Sequence, residues 1–184
     1  MGSYQKTDVT IWTGREDKGD RFFNKVKVVD LLKDDLPTSS KSATSFALLG
    51  FCSDEGVRRN QGRVGAKEGP LALRKALRNK CFHNFGDVDL YDCGDVICNG
   101  DDLEGVQSLL GEKVAIILEK GHFPIVLGGG HSISWGHYQG LEKAKSCDSL
   151  GVINIDAHYD LRPLLEGGKG SSGTPFLQIA ERRK

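Results

Sequence analysis

Short apolar runs alternate along the chain with longer amphipathic stretches. Ser45–Phe51 (SFALLGF), Phe123–Leu127 (FPIVL) and Leu150–Ile155 (LGVINI) are near-continuous apolar segments of strand length, and Asp87–Asp92 (DVDLYD) alternates. Helical signals lie between them. Gly69-Pro70 puts a proline in a first turn, where its missing N–H costs nothing. Asp101 is placed to cap a long helix whose Leu103, Val106, Leu110, Val114, Ile117 and Leu118 form one stripe, with Gly121 as its stop. After Gly128-Gly129-Gly130 a helix is predicted from about Ser132 to Lys145, and Thr174-Pro175 opens another containing Phe176, Ile179 and Ala180. Strands this apolar, separated by helices, predict an α/β fold: a three-layer α/β/α sandwich around a mostly parallel sheet. Residues 1–44 read as a polar N-terminal arm in which Phe22, Val26, Val29 and Leu32 fit a helical stripe. A Pro37–Ser45 loop joins the arm to a domain over 45–184.

Composition narrows the function classes. Lys+Arg and Asp+Glu are 25 each, so the net charge is zero, and no overall field draws the chain to nucleic acid or to an anionic membrane surface. No apolar run approaches the roughly 18 residues of a spanning helix, and the start MGSYQKTDVT lacks an apolar leader core. Five cysteines (Cys52, Cys81, Cys93, Cys98, Cys147), odd in number and without a C-x-x-C pair, suit a reducing, cytoplasmic setting. The 24 glycines call for tight turns and close backbone approach.

In open parallel sheets the ligand site lies beyond the carboxyl ends of the strands. Two such places carry chemistry: Gly130-His131-Ser132 after FPIVL, and Asp156-Ala157-His158-Tyr159-Asp160 after LGVINI. In an extended segment Asp156, His158 and Asp160 share one face, with His131 arriving from a neighbouring strand end. Two imidazoles and two carboxylates suit Mn²⁺, Fe²⁺ or Zn²⁺. Helix or turn capping by Asp160 and bonding of Asp156 to loop amides are the structural alternatives. The glycine turn does not read as a nucleotide loop, because Ile133 stands where the dinucleotide fingerprint needs glycine and no G-K-S/T follows.

Taken with Gly56–Leu77 (GVRRNQGRVGAKEGPLALRKAL), the GGGHS and DAHYD segments resemble the ureohydrolases: arginase, agmatinase and formimidoylglutamase. Within that family WTGRED (Trp12–Asp17), GGGH and SSGTPFLQIAE (Ser171–Glu181) are most similar to formimidoylglutamases. The resemblance implies the N-terminal part of an arginase-like fold and a cytoplasmic hydrolase of linear amidine C–N bonds. That hydrolase would convert N-formimidoyl-L-glutamate and water to L-glutamate and formamide in histidine breakdown, or act on agmatine or arginine. It further implies two Mn²⁺ ions, roughly 3.5–4 Å apart in such two-metal sites. His131 and Asp160 would bind one ion, His158 the other, and Asp156 both, with a metal-held hydroxide rather than a side chain as nucleophile. The expected partner is a small molecule, with homo-oligomerisation implied by the family.

Substrate carboxylates call for bidentate arginine, and Arg162 and Arg63 are the candidates, with Ser172 and the Gly167–Gly173 loop as further donors. The family's later D-x-D motif does not occur in this sequence, which stops at Glu181-Arg182-Arg183-Lys184 inside an expected helix. The expectation is a C-terminally truncated chain with only part of the ligand set. It would hold metal weakly or act as a non-catalytic companion of longer subunits.

Overall fold

The computed structural model describes residues 2–14, 20–40, 44–83, 88–145 and 149–182. Arg15, Glu16 and Asp17 of WTGRED, residues 41–43 of the expected loop, Asp87, Cys147 and Arg183-Lys184 lie outside them.

Two parallel strands form the centre of the sheet: β3 (Thr44–Cys52) and β4 (Val88–Ile97), in register from Thr44 opposite Val88 to Cys52 opposite Ile97, with an irregularity between Leu48 and Gly50. β5 (Phe123–Leu127) adds parallel to β3. The outer edge of β4 is shared by β1 (Ser3–Gln5), antiparallel, and β2 (Val26–Val28), parallel. The order is therefore β1-β4-β3-β5, with β2 also on β4, and residues 1–44 contribute two strands to the same sheet as the rest of the chain.

Strand alternation divides the core into two layers. Ala47, Leu49 and Phe51 of β3, with Tyr91 and Cys93 of β4, face the long helix α4 (Leu103–Glu119) through its buried Leu103, Val106, Leu110, Val114 and Ile117. On the opposite face, Leu48 and Leu90 meet Trp12, and Leu77 of α3 (Gly69–Leu77) and Phe22 of the one-turn helix α1 (Phe22–Lys25) pack around them. Apolar layers on both faces of a mostly parallel sheet make this an α/β fold of three layers. α5 (Ile133–Lys143) lies close against α4, because Gly111, Gly136 and Gly140 bring the two backbones together: a Cβ on Gly140 would fall 2.8 Å from the Gly111 carbonyl oxygen.

Five expectations need correction. Leu150–Ile155 is not a strand: Ile153 and Ile155 are 90% and 96% exposed, and among the described residues no strand pairs with the segment. A strand exists only through its ladder bonds, so an apolar run without a neighbour stays irregular. Phe123–Leu127 is an edge strand with Phe123 exposed, rather than a buried one. The DVDLYD strand continues to Ile97, turning at Gly94, whose φ of +83° favours glycine. The helical stripe drawn through Phe22, Val26, Val29 and Leu32 breaks after Lys25 into β2, and Leu32 is exposed. The cap of α4 is Asp102, not Asp101, with Asp102 Oδ1 accepting the Gly105 N–H at 3.1 Å.

Candidate metal centre

β5 ends at Leu127, and Gly128 and Gly129 take positive φ values of +55° and +81° in a turn packed against Pro70 and Phe51. The Gly130 N–H then donates to the Ser53 carbonyl at 2.9 Å, which anchors the turn to the end of β3. His131 leaves this turn at the carboxyl edge of the sheet, and Ser132 starts α5. The His131 ring meets Phe176 edge-on, centroids 5.5 Å apart, so its orientation is set by an aromatic wall from α6 (Pro175–Arg182).

The second segment reaches the same place by a turn. Asp160 adopts φ +48°, the left-handed region that aspartate tolerates better than most residues. Its carbonyl accepts the Phe176 N–H at 3.3 Å. This bend brings the Asp160 carboxylate into hydrogen-bond contact with His131 Nδ1, and Asp156 Oδ2 lies 3.5 Å from the same nitrogen. Ligating atoms of His131, Asp156 and Asp160 all fall within 4.8 Å of one another. An imidazole and two carboxylates converging from two segments fit a divalent ion of the Mn²⁺, Fe²⁺ or Zn²⁺ type. Asp156 also fills its alternative role, since its Oδ1 accepts the His158 N–H at 2.8 Å. That bond, with lesser help from nearby His131 and His158, holds the Asp156 carboxyl below the ordinary aspartate value.

His158 does not join the cluster. Its ring is 81% exposed, with Nδ1 3.4 Å from Asp156 Oδ1. The segment is bent rather than extended at 156–158, so the shared-face argument does not apply to it. Arg162 is exposed and donates to Asn60 Oδ1 at 3.3 Å, while its backbone N–H donates to the Gly173 carbonyl. Ser172 is half-buried, its N–H bound to the Gly56 carbonyl at 2.9 Å. Arg63 is exposed on the connection between α2 (Glu55–Arg59) and α3, and among the described residues it makes no bond to the cluster. An open cleft of about 480 Å³ runs beside Asp156 and His158, with Leu161, Phe176 and Ile179 as its apolar side. Another groove, of about 370 Å³, lies between α4, α5 and α6 and holds none of the candidate ligands.

Several supporting residues had no individual signal in the sequence. Asn60, Glu55 and Arg59 lie within or beside the GVRRN segment, and Glu55 and Arg59, at helical i, i+4 spacing, look like an ordinary surface pair. In the structure both side chains are buried.

A sequence model described as "Arginase: Arginase family" matches residues 44–184. The chain belongs to the arginase family. Among curated relatives, the formimidoylglutamase of Aeromonas hydrophila is 45% identical over 99% of this chain and 56% of its own length. That of Geobacillus kaustophilus is 45% identical over 97% of this chain and 56% of its own. This arginase-family chain thus spans about half the length of the curated relatives it matches. A Trypanosoma cruzi formiminoglutamase solved with Mn²⁺ aligns with a TM-score of 0.67 and 39% identity, over 78% of this chain and 50% of that one. The Bacillus subtilis formimidoylglutamase shares the fold, with a TM-score of 0.72 and 22% identity over 92% of this chain and 51% of that one. Among the described residues of this arginase-family chain, no helix is long and apolar enough to cross a membrane.

Proposed function

We propose that the chain carries metal-ligating residues of a Mn²⁺-dependent formimidoylglutamase. Residues 45–184 would be an incomplete ureohydrolase α/β domain and 1–44 its N-terminal arm, whose β1 and β2 join the same sheet. The observation that carries this reading is the convergence of His131, Asp156 and Asp160 from two separate segments at the carboxyl edge of the sheet. Formimidoylglutamase relatives at 45% identity, and a Mn²⁺-containing structure of a formiminoglutamase, support both the metal and the reaction. The reaction is hydrolysis of N-formimidoyl-L-glutamate: water adds at the amidine carbon, the bond to the glutamate nitrogen breaks, and formamide and L-glutamate leave. The family resemblance further supports a small-molecule substrate, a cytoplasmic setting and a homo-oligomer.

His131, Asp156 and Asp160 would hold one ion, and His158 with Asp156 would help hold a second. Bound there, Mn²⁺ supplies Lewis acidity and lowers the pKa of water. The residues of the chain do the remaining work. Phe176 orients the His131 ring, the His158 N–H fixes Asp156, and the left-handed turn at Asp160 aims its carboxylate at the same centre. Arg162, held by Asn60 at the rim, would take a substrate carboxylate in a two-point contact, with Ser172 and Arg63 as further contacts. Agmatine lacks a carboxylate for that contact.

A second reading rests on the exposure of Ile153 and Ile155: a non-catalytic family member that works beside longer subunits. A Mn²⁺ titration of the 184-residue chain followed by EPR, with product analysis, tests both. Asp160→Asn should weaken Mn²⁺ binding at least about tenfold. Formamide from N-formimidoyl-L-glutamate supports the first reading, and urea from arginine or agmatine overturns the substrate. Mn²⁺ binding with no turnover of any of the three selects the second reading. Absence of Mn²⁺ binding overturns the metal assignment.

A further inference from the structure

The two ligand-bearing segments do not touch each other through backbone ladders, yet both are tied to the start of α4. One tie is Gln107, 1% exposed, whose Nε2 donates to the Ser132 carbonyl at 2.7 Å, directly after His131. The other is Glu104, one turn earlier on the same helix face, whose Oε1 accepts the Gly170 N–H at 2.9 Å. Gly170 opens the loop that backs Asp160. Within that loop the Gly173 carbonyl accepts the Arg162 N–H at 2.9 Å, and just beyond it, at the start of α6, the Phe176 N–H donates to the Asp160 carbonyl.

Arg59 locks the second tie. Its side chain is only 7% exposed, and all three of its nitrogens are used. Nε donates to Glu55 at 2.9 Å, Nη1 to Glu104 at 2.6 Å and to the Gly170 carbonyl at 3.0 Å, and Nη2 to the Asp101 carbonyl at 2.6 Å. One planar guanidinium therefore joins α2, the start of α4 and the loop behind Asp160. A lysine's three donors radiate from one nitrogen and cannot reach acceptors spread around a planar fork. Burial pulls the Glu104 carboxyl up, but the Arg59 and Gly170 bonds outweigh it and hold it below the ordinary glutamate value.

We infer that Arg59, Glu104 and Gln107 are positioning residues that set the spacing between His131 and Asp160, and so the affinity of the centre for its ion. This rests on the metal reading above. None of the three touches the ligating atoms. They act by holding the backbone on either side, and outer contacts that orient ligands typically govern about 10–100-fold in metal affinity.

The test is the Mn²⁺ dissociation constant of the 184-residue chain by EPR, with Mn²⁺ alone as probe and thermal unfolding measured beside it. Arg59→Met and Gln107→Leu should each weaken Mn²⁺ binding about three- to tenfold, one step further out than a direct ligand contact. Arg59→Lys should recover part of that loss, because it keeps the charge without the fork. The same variants should reduce the rise in unfolding temperature that Mn²⁺ produces, an effect that loss of fold stability alone does not give. If Arg59→Met does not fold, Arg59→Lys and Gln107→Leu decide. Folded variants that bind Mn²⁺ within twofold of the unsubstituted chain overturn the positioning role and leave the metal reading standing. An unsubstituted chain that binds no Mn²⁺ overturns both.

Discussion

Arg74 and Asp92 face each other as a two-point ion pair sealed from water: Nε to Oδ2 and Nη2 to Oδ1 are both 2.8 Å, and the side chains are 1% and 0% exposed. The same carboxylate accepts from Trp12 Nε1 at 2.7 Å and from Thr7 Oγ1 at 2.9 Å. Asp92 thus gathers α3 and the N-terminal segment onto one point of β4. Removing one member of a buried pair leaves the other charge uncompensated, which costs about 3–5 kcal/mol. Arg74→Met should lower stability in urea by that amount. The double variant Arg74→Met/Asp92→Asn should lose less than the sum of the two single changes, and strict additivity would show the pair to be uncoupled.

Helix packing gives a second expectation. A Cβ on Gly140 would lie 2.5 Å from Val114 Cβ and 2.8 Å from the Gly111 carbonyl oxygen, a backbone atom that cannot rotate aside. Gly140→Ala should therefore destabilise the chain by about 1–3 kcal/mol through overpacking, although alanine is the better helix former. A thermal midpoint unchanged or raised would show that α5 can slide away from α4.

The reading of the site from the sequence was partial, for reasons visible residue by residue. α4 was legible because Leu103, Val106, Leu110, Val114 and Ile117 recur at helical spacing and all face one buried layer. β3 was legible because it is apolar on both faces, as a central parallel strand must be. Of the residues expected at strand ends, only His131 follows a strand, β5; Asp156 and Asp160 reach it on an irregular segment through the left-handed turn at Asp160. LGVINI stays unpaired because ladder partners are supplied by neighbours, not by an apolar run itself, and the bend at 156–158 takes His158 off the face it would share with Asp156 and Asp160 in an extended segment. Arg59, Glu104 and Gln107 escaped because nothing local distinguishes a buried charged residue from a solvated one; only the meeting of segments more than 40 residues apart in the chain buries Arg59 against Glu104.

Thiol chemistry should sort the cysteines by burial. Burial pushes the Cys52 thiol up to about 12 and that of Cys93 higher still, so neither holds much reactive thiolate at pH 8. Cys81 is exposed. Iodoacetamide at pH 8 should label Cys81 in the folded chain and reach Cys52 and Cys93 only after unfolding, as read by peptide mass. Equal labelling of Cys93 and Cys81 would contradict the buried core.

Acid should weaken α2 before it affects the sheet. Hydrogen bonds from Arg58 hold the Glu55 carboxyl below the ordinary 4.5, with burial opposing and Arg59 assisting. A carboxyl lowered on folding contributes stability that is complete above its unfolded value and is lost as pH falls through the folded one. The difference in urea stability between the unsubstituted chain and Glu55→Gln should thus be constant from pH 7 to about 5 and shrink below about 4.5. A difference independent of pH down to 3 would remove the charge-based account.

The antiparallel pairing of β1 with the end of β4 also orders events in time. Ser3, Tyr4 and Gln5 leave a ribosome about ninety residues ahead of their partners Ile97, Val96 and Asp95. At about 5–20 residues per second, these residues wait roughly 5–20 s for a strand to join. Throughout that interval Trp12 and Thr7 also lack the carboxylate of Asp92. The β1 segment is thus made well before it can dock, and β3 can begin pairing with β4 before β1 has any partner.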